Sequence, residues 1–258
     1  MEKKKSIKRL DVTIFEKGLA QTRTKAQSFI MAGNVFVDGE VKYKSGILID
    51  ENALIEIKNI NPYVSRGGLK LESALNALSV SVKGYICLDI GASTGGFTDC
   101  MLQKGAIKVY AVDVGFGQLH YTLRNDSRVI NIENVNFRYF DTSILKDKID
   151  FTTIDVSFIS LDKILPITYN VVKEDGFVLA MIKPQFELDC KEIKKGVVRD
   201  ESLRQKAIGK IKKVALDLGF KIISEVDSGL KGPKGNLEHF VLLQKEQILF
   251  GVKNGRIK

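Results

Sequence analysis

The sequence predicts an α/β chain in two parts: a small α+β unit, then a larger and mainly parallel sheet with helices on both faces. Three observations predict it. At 258 residues the chain exceeds one small module, since domains average about 150 residues. From Lys83 onward, short apolar runs alternate with helical stretches, the rhythm of strand–helix–strand units. Before that, Asn59-Ile60-Asn61-Pro62-Tyr63 is polar and holds the one proline preceding Pro166, so it resists helix and reads as a linker. The division that follows is 1–58 for the small domain, 59–64 for the linker, 65–245 for the large domain and 246–258 for a basic tail with Lys253, Arg256 and Lys258.

In the small domain, 10–17 has a helical pattern, and Gly18 stands where a left-handed cap ends it. A second helix opens at Thr22, an N-cap residue, carries Ala26, Phe29 and Ile30, and stops at Gly33. Val35-Phe36-Val37 and Val41-Lys42-Tyr43 flank Asp38-Gly39, a tight-turn signal that predicts a hairpin. A strand over 53–57 closes the unit. Arg9, Arg23 and Lys25 gather at the start of the second helix, where backbone N–H groups also favour phosphate. A solvated basic helix face is the plain alternative.

In the large domain, 85–90 is a buried-strand run leading into Gly91-Ala92-Ser93-Thr94-Gly95-Gly96-Phe97-Thr98 and then a helix reaching Gly105. The strand 108–113 ends in Asp113. Further strands are predicted at 129–132, 150–155, 177–182, 221–226 and 240–243, with helices at 118–124, 162–173 and 202–218. A glycine-rich first turn followed by an acid after the next strand is a nucleotide cradle: small residues admit the ligand, and the acid accepts from ribose hydroxyls. The loop reads Gly-x-Ser-x-Gly-Gly, which disfavours a dinucleotide, and no Gly-x-x-x-x-Gly-Lys-Ser is present for phosphoryl transfer from ATP.

Composition narrows the classes. Hydrophobic residues are 44% and charged residues 28%, an ordinary globular balance. Lys plus Arg number 40 against 31 for Asp plus Glu, and the net charge of +9 favours a polyanionic partner, either nucleic acid or an anionic membrane. No apolar run approaches the ~20 residues of a membrane helix, and the basic start has no apolar stretch behind it, so neither a span nor a secretory signal is expected. Three cysteines without ligand spacing and two histidines point to reduced thiols, a cytosolic protein and no metal site.

Several motifs together carry a resemblance. Arg9-Leu10-Asp11, Gly18, Thr22-Arg23, Ala26, Ile30 and Gly33-Asn34-Val35-Phe36-Val37-Asp38-Gly39 resemble the S4-like RNA-binding domain, with Thr22 where that family has Ser. Asp89-Ile90-Gly91-Ala92-Ser93-Thr94-Gly95-Gly96-Phe97-Thr98-Asp99 resembles the S-adenosylmethionine loop of FtsJ-type ribose methyltransferases. With Tyr63-Val64-Ser65-Arg66-Gly67-Gly68-Leu69-Lys70-Leu71 added, the chain from Arg9 to Leu243 resembles the TlyA family, which methylates cytidine 2′-hydroxyls in ribosomal RNA. The resemblance implies a Rossmann-like S-adenosylmethionine-dependent methyltransferase sheet behind a small N-terminal α+β S4-like domain. It implies S-adenosylmethionine as cofactor, touching Asp89, Gly91, Ser93, Gly95, Gly96, Phe97, Thr98, Asp113 and Asn136. It implies ribosomal RNA in ribosomal subunits as partner, met by Arg9, Arg23, Lys25 and Arg66, and a cytoplasmic location.

The related methyltransferases use a Lys-Asp-Lys-Glu set, and each member has a counterpart here: Lys70 in Gly68-Leu69-Lys70-Leu71, Asp155 in Ile154-Asp155-Val156-Ser157-Phe158, Lys183 in Met181-Ile182-Lys183-Pro184-Gln185-Phe186-Glu187, and Glu238 in Gly235-Asn236-Leu237-Glu238-His239. Asp155 and Lys183 end successive strands, where ligands of open parallel sheets bind. Burial behind 178–182 favours a neutral Lys183 amine, as does Lys70, while Asp155 and Glu238 favour the charged form, and sequence leaves that sum open. By resemblance Lys183 is the base, and the other three orient it and the ribose. Taken alone, Lys70 reads as an exposed helix lysine, Asp155 as a strand-end turn former and Glu238 as a surface acid. Two other readings stand beside the enzyme: a membrane-lytic protein, since some family members carry a haemolysin label, and a non-catalytic RNA-binding module. His120 and His239 are assigned nothing, and Cys87 is assigned to the core.

Overall fold

The computed structural model describes residues 6–246, apart from 32, 59, 60, 194, 195 and 233. The basic tail beyond Glu246, and Asn59 and Ile60 of the predicted linker, lie outside the described residues. The chain divides into two compact units between Pro62 and Tyr63.

The first unit runs β1 (Ile7–Arg9), α1 (Leu10–Glu16), α2 (Arg23–Met31), β2 (Val35–Val37), β3 (Glu40–Lys42), β4 (Leu48–Asp50) and β5 (Ile55–Ile57). Leu10 and Ile14 on α1, and Ala26 and Ile30 on α2, are spaced by four, so each pair shares a face, and all four are fully buried. Thr22 caps α2 by accepting at Oγ1 from the Lys25 N–H at 3.1 Å. Asp38 and Gly39 both have positive φ, 52° and 84°, the turn that lets β2 and β3 pair as a tight hairpin. β5 takes the other edge of β2, antiparallel. The pairing of β1 with β4 was not predicted. Three-residue strands are too short to carry a pattern.

The second unit holds α3 (Arg66–Ala77), β6 (Ile86–Ile90), α4 (Gly96–Gln103), β7 (Lys108–Val112), α5 (Tyr121–Arg124), β8 (Val129–Ile132), β9 (Ile149–Ile154), α6 (Leu165–Val171), β10 (Val172–Ile182), α7 (Pro184–Glu187), α8 (Glu201–Asp217), β11 (Phe220–Asp227) and β12 (His239–Lys245). Among the described residues, seven strands form one sheet in the order β11-β12-β10-β9-β6-β7-β8. Pairs from β10 through β8 are parallel, while β12 returns antiparallel between β10 and β11.

Side chains alternate across this sheet. Val109, Phe151, Leu179, Met181, Phe240 and Leu242 join one core with Leu71 of α3 and Met101 of α4. Tyr110, Val178, Ala180, Ile182, Val241 and Leu243 join the other with Leu165 of α6 and Ile208 and Ile211 of α8. That alternation is the period of a strand buried on both faces. From β6 the chain moves outward to β7 and β8, then returns to β9 and β10 on the other side, so the ends of β6 and β9 flank the switch point where such sheets bind ligands.

Two predicted boundaries move. Tyr63 and Val64, read as linker, pack in the second unit, where Val64 N–H donates to Asp99 Oδ2 at 2.8 Å. The helix expected to reach 173 ends at Val171, and β10 begins at Val172 with a register shift before Phe177. No described helix is long and apolar enough to cross a membrane. Among the described residues no group of three His, Cys, Asp or Glu is arranged to hold a metal.

Candidate active site

Two glycines shape the loop after β6. Gly91 has φ +87°, and a Cβ there would sit 2.6 Å from the Asp155 carbonyl oxygen, so the ends of β6 and β9 stay side by side only without a side chain. At Gly96, the first residue of α4, a Cβ would lie 2.2 Å from Ser65 Oγ and 2.9 Å from Gly68 N, at the start of α3. The glycine loop therefore serves close contact between elements as well as space for a ligand. Gly95 is the N-cap of α4.

A cleft of about 490 Å³ runs from this loop across the ends of β6, β7 and β9, lined by Gly91, Ser93, Asp113, Asn136, Asp155 and Ser157 among others. Asp113 accepts the Ser93 N–H at Oδ2 (2.8 Å) and the Gly115 N–H at Oδ1 (2.7 Å). Each oxygen keeps a second lone pair for a hydroxyl. Asn136 accepts from the Arg138 N–H at 3.1 Å and caps a short turn at the cleft wall.

Asp89 and Thr98 are placed differently from the expectation of ligand contact. Both are fully buried beneath the loop. Thr98 Oγ1 donates to one Asp89 oxygen at 2.7 Å and Thr153 Oγ1 to the other at 3.0 Å. They tie α4 to β6 and β9 and shape the cradle from below. Burial pushes the Asp89 carboxyl up to about 7, against the opposing effect of those hydroxyls.

A second hollow, about 350 Å³, opens on the other side of the loop and is lined by Arg66, Lys70, Gly96, Phe97, Asp155, Lys183 and Lys231, with others. Asp155 follows β9 and Lys183 follows β10. Because β12 is antiparallel, its first residue, His239, pairs with Ile182, and this brings Glu238 to the same end of the sheet. Lys183 Nζ lies 2.6 Å from Asp155 Oδ1 and donates to Ser157 Oγ at 2.9 Å. Lys70 Nζ pairs with Glu238 Oε2. Lys183 is 9% exposed and Glu238 2%, so Glu238 lies behind Lys70 with its other oxygen against Gly232. The predicted quartet thus resolves into two ion pairs, with three of its members facing one hollow.

Sequence reading gave Ser157, Phe158, Phe186 and Lys231 no role. Phe158 is 91% exposed at a strained φ of +64°, and its ring lies 5.0 Å from that of Phe186. The two rings and Lys183 line a third hollow of about 450 Å³ with Gln185, Lys234 and Asn236. An exposed aromatic in a loop has no periodicity to betray it. The strained position marks it only once the backbone is known.

In the first unit, Arg9 and Arg23 are not loose surface charges. Arg9 donates to both oxygens of Asp11 (3.0 and 3.1 Å), Arg23 Nε to Oδ2 at 2.9 Å, and Gln27 Nε2 to the same oxygen at 2.8 Å. Asp11 is fully buried, and the hydrogen-bonded Arg9 guanidinium, with Gln27 and Arg23, holds its carboxyl well below the usual carboxylate range despite that burial. About half of each arginine side chain remains exposed, so the buried carboxylate fixes two guanidinium groups at the surface. Lys25, close after Arg23 in the chain, holds its ammonium over the Phe29 ring at 5.2 Å. Arg66 belongs to the second unit and is exposed at the start of α3.

The sheet has one antiparallel strand, an acid closing its second parallel strand and a Lys-Asp pair at the switch point, and the family match over this unit gives the class: a methyltransferase. The chain belongs to the FtsJ-like methyltransferase family, which it matches over residues 63–245, and residues 8–55 match the S4 domain. It is 45% identical over 240 residues to Hemolysin A of Brachyspira hyodysenteriae, covering 91% of this chain and 100% of that one. It is 37% identical over 241 residues to the 16S/23S rRNA (cytidine-2′-O)-methyltransferase TlyA of Mycobacterium tuberculosis, covering 92% and 90%. Among solved structures it is similar to a protein described as a hemolysin from Streptococcus thermophilus, with 43% identity, a TM-score of 0.73, and coverage of 95% of this chain and 90% of that one.

Proposed function

We propose that this enzyme transfers the methyl group of S-adenosylmethionine to the 2′-hydroxyl of a cytidine in ribosomal RNA, acting on ribosomal subunits in the cytoplasm. One observation carries the reading. Lys183, paired with Asp155, faces both the Lys70 hollow and the aromatic hollow and lies beside the end of the nucleoside cleft. The cleft fits the donor: Asp113 presents acceptors for two ribose hydroxyls, and Gly91 and Ser93 leave its floor small. When bound, the donor supplies an electrophilic methyl group on a positively charged sulfur.

The chain supplies the rest. Lys183 Nζ takes the proton of the attacking hydroxyl, and Asp155 offsets the charge that the amine acquires. Glu238 fixes Lys70, which holds the acceptor ribose from the opposite wall. Phe158 and Phe186 offer an aromatic face beside Lys183, suited to an unstacked base. Arg9 and Arg23, held rigid by Asp11, and Lys25 suit phosphate contact in an S4 domain. Membrane lysis makes no use of the charged quartet. The test is to incubate the protein and labelled donor with ribosomal subunits lacking the modification, then digest the RNA to nucleosides. Label in 2′-O-methylcytidine is the expected result. Label on a base, or none, overturns the proposal.

A further inference from the structure

We infer that Ser157 is a positioning residue that fixes the direction of the Lys183 amine, a role that rests on Lys183 as the base. A lysine that accepts a proton must be neutral, with two N–H bonds and one lone pair in tetrahedral arrangement. The rate depends on where the lone pair points, and rotation about the last C–N bond decides that. A carboxylate alone fixes it poorly. Asp155 Oδ1 is only 2.6 Å from Nζ, yet this oxygen is buried and receives no aligned hydrogen bond from the described residues. The aligned hydrogen bond from Nζ goes to Ser157 Oγ, at 2.9 Å. Asp155 balances charge, and Ser157 sets the angle.

Position supports the assignment. Ser157 alone among the described residues lines the donor cleft, the Lys70 hollow and the aromatic hollow, so it stands where donor and acceptor must meet. Its hydroxyl has no other described partner, and the residue is exposed in the loop after β9, so folding does not employ it. With one N–H held by Ser157 and the other drawn toward Asp155, the lone pair takes the remaining direction. The step balances. The ribose O–H bond breaks and its proton joins Nζ, while the oxygen electron pair forms the bond to the methyl carbon. The methyl–sulfur bond breaks with its pair remaining on sulfur, so that the donor leaves as a neutral thioether, and the ammonium later releases the proton to water.

Ser157→Ala, Ser157→Thr and Lys183→Ala decide the matter, measured as single-turnover methyl transfer with donor and RNA saturating, beside donor affinity by calorimetry. Ser157→Ala is expected to slow transfer about 10-fold, the scale of one oriented hydrogen bond, with donor affinity and the KM for RNA unchanged. Ser157→Thr keeps the hydroxyl and is expected to keep most of the rate. A wild-type rate in the alanine variant overturns the inference. So does a threonine variant as slow as alanine, or a rate loss matched by an equal loss of donor affinity. An inactive Lys183→Ala beside a normal Ser157→Ala leaves the base standing and removes only Ser157. A fully active Lys183→Ala removes both.

Discussion

At Lys183, holding the acceptor hydroxyl and taking its proton are separable jobs, and one substitution tells them apart. Lys183→Arg keeps the positive charge beside Asp155, but a guanidinium stays protonated and cannot act as a base. Transfer should fall at least ~100-fold, as with alanine, because a positioned general base is worth that much. Single-turnover rates check it, and an arginine variant near wild type would make Lys183 an orienting charge. Asp89 acts on stability. Its carboxyl is pushed up to about 7 in the folded chain, above the ~4 of an unfolded aspartate, so between those values the folded state binds the extra proton. Its contribution is fully present below pH ~4 and is lost as pH rises through about 7. Asp89→Asn should flatten that part of the stability profile. Urea unfolding from pH 4 to pH 8 compares the two proteins, and parallel profiles would show that Asp89 does not titrate there.

Between elements, the critical contact is the start of α3 on the start of α4. A Cβ at Gly96 would meet backbone at Gly68 N (2.9 Å) and Gly67 Cα (3.1 Å), not only the Ser65 hydroxyl, so no rotamer change relieves it. Gly96→Ala should displace α3 and cost about 1–3 kcal/mol, the usual scale of an overpacked contact. Since α3 carries Lys70, the Lys70–Glu238 pair should loosen too, and methyl transfer should fall more than donor affinity. Thermal unfolding with a transfer assay tests this. A variant of unchanged stability would mean that the two helix starts are free to separate.

For the molecule as a whole, the net charge of +9 matters through where it is fixed. In the first unit, two arginines share one buried carboxylate and so face solvent without the entropy cost of being ordered on binding. Replacing Arg9, Arg23 and Lys25 together by alanine should weaken RNA binding and reduce its salt dependence by about 0.7 in log–log slope per lost phosphate contact. Donor affinity should survive, because the cleft belongs to the second unit. Affinity measured across a salt series decides it. An unchanged slope would leave the arginines a structural pair around Asp11.

Much was legible in the sequence because it is written in neighbours. The hairpin at Asp38-Gly39, the Thr22 cap, the glycine loop after β6 and the strand that ends in Asp113 each depend on residues a few positions apart, and each stands where expected. The charged quartet was legible as motifs, one residue at a time. Helix α3 had no predicted bounds, although Lys70 alone reads as a helix lysine, since Gly67 and Gly68 in its first turn look like loop. Tertiary structure alone decided the rest. The antiparallel return of β12 between β10 and β11 puts Glu238 at the end of the sheet where Asp155 and Lys183 stand, and strand order is fixed by closure of the whole sheet rather than by local propensity. Asp89 and Thr98 carry the loop motif yet lie beneath the surface, because the sheet buries both faces of β6. Ser157 and Lys183 are 26 residues apart in the chain and meet only because β9 and β10 run parallel and end together.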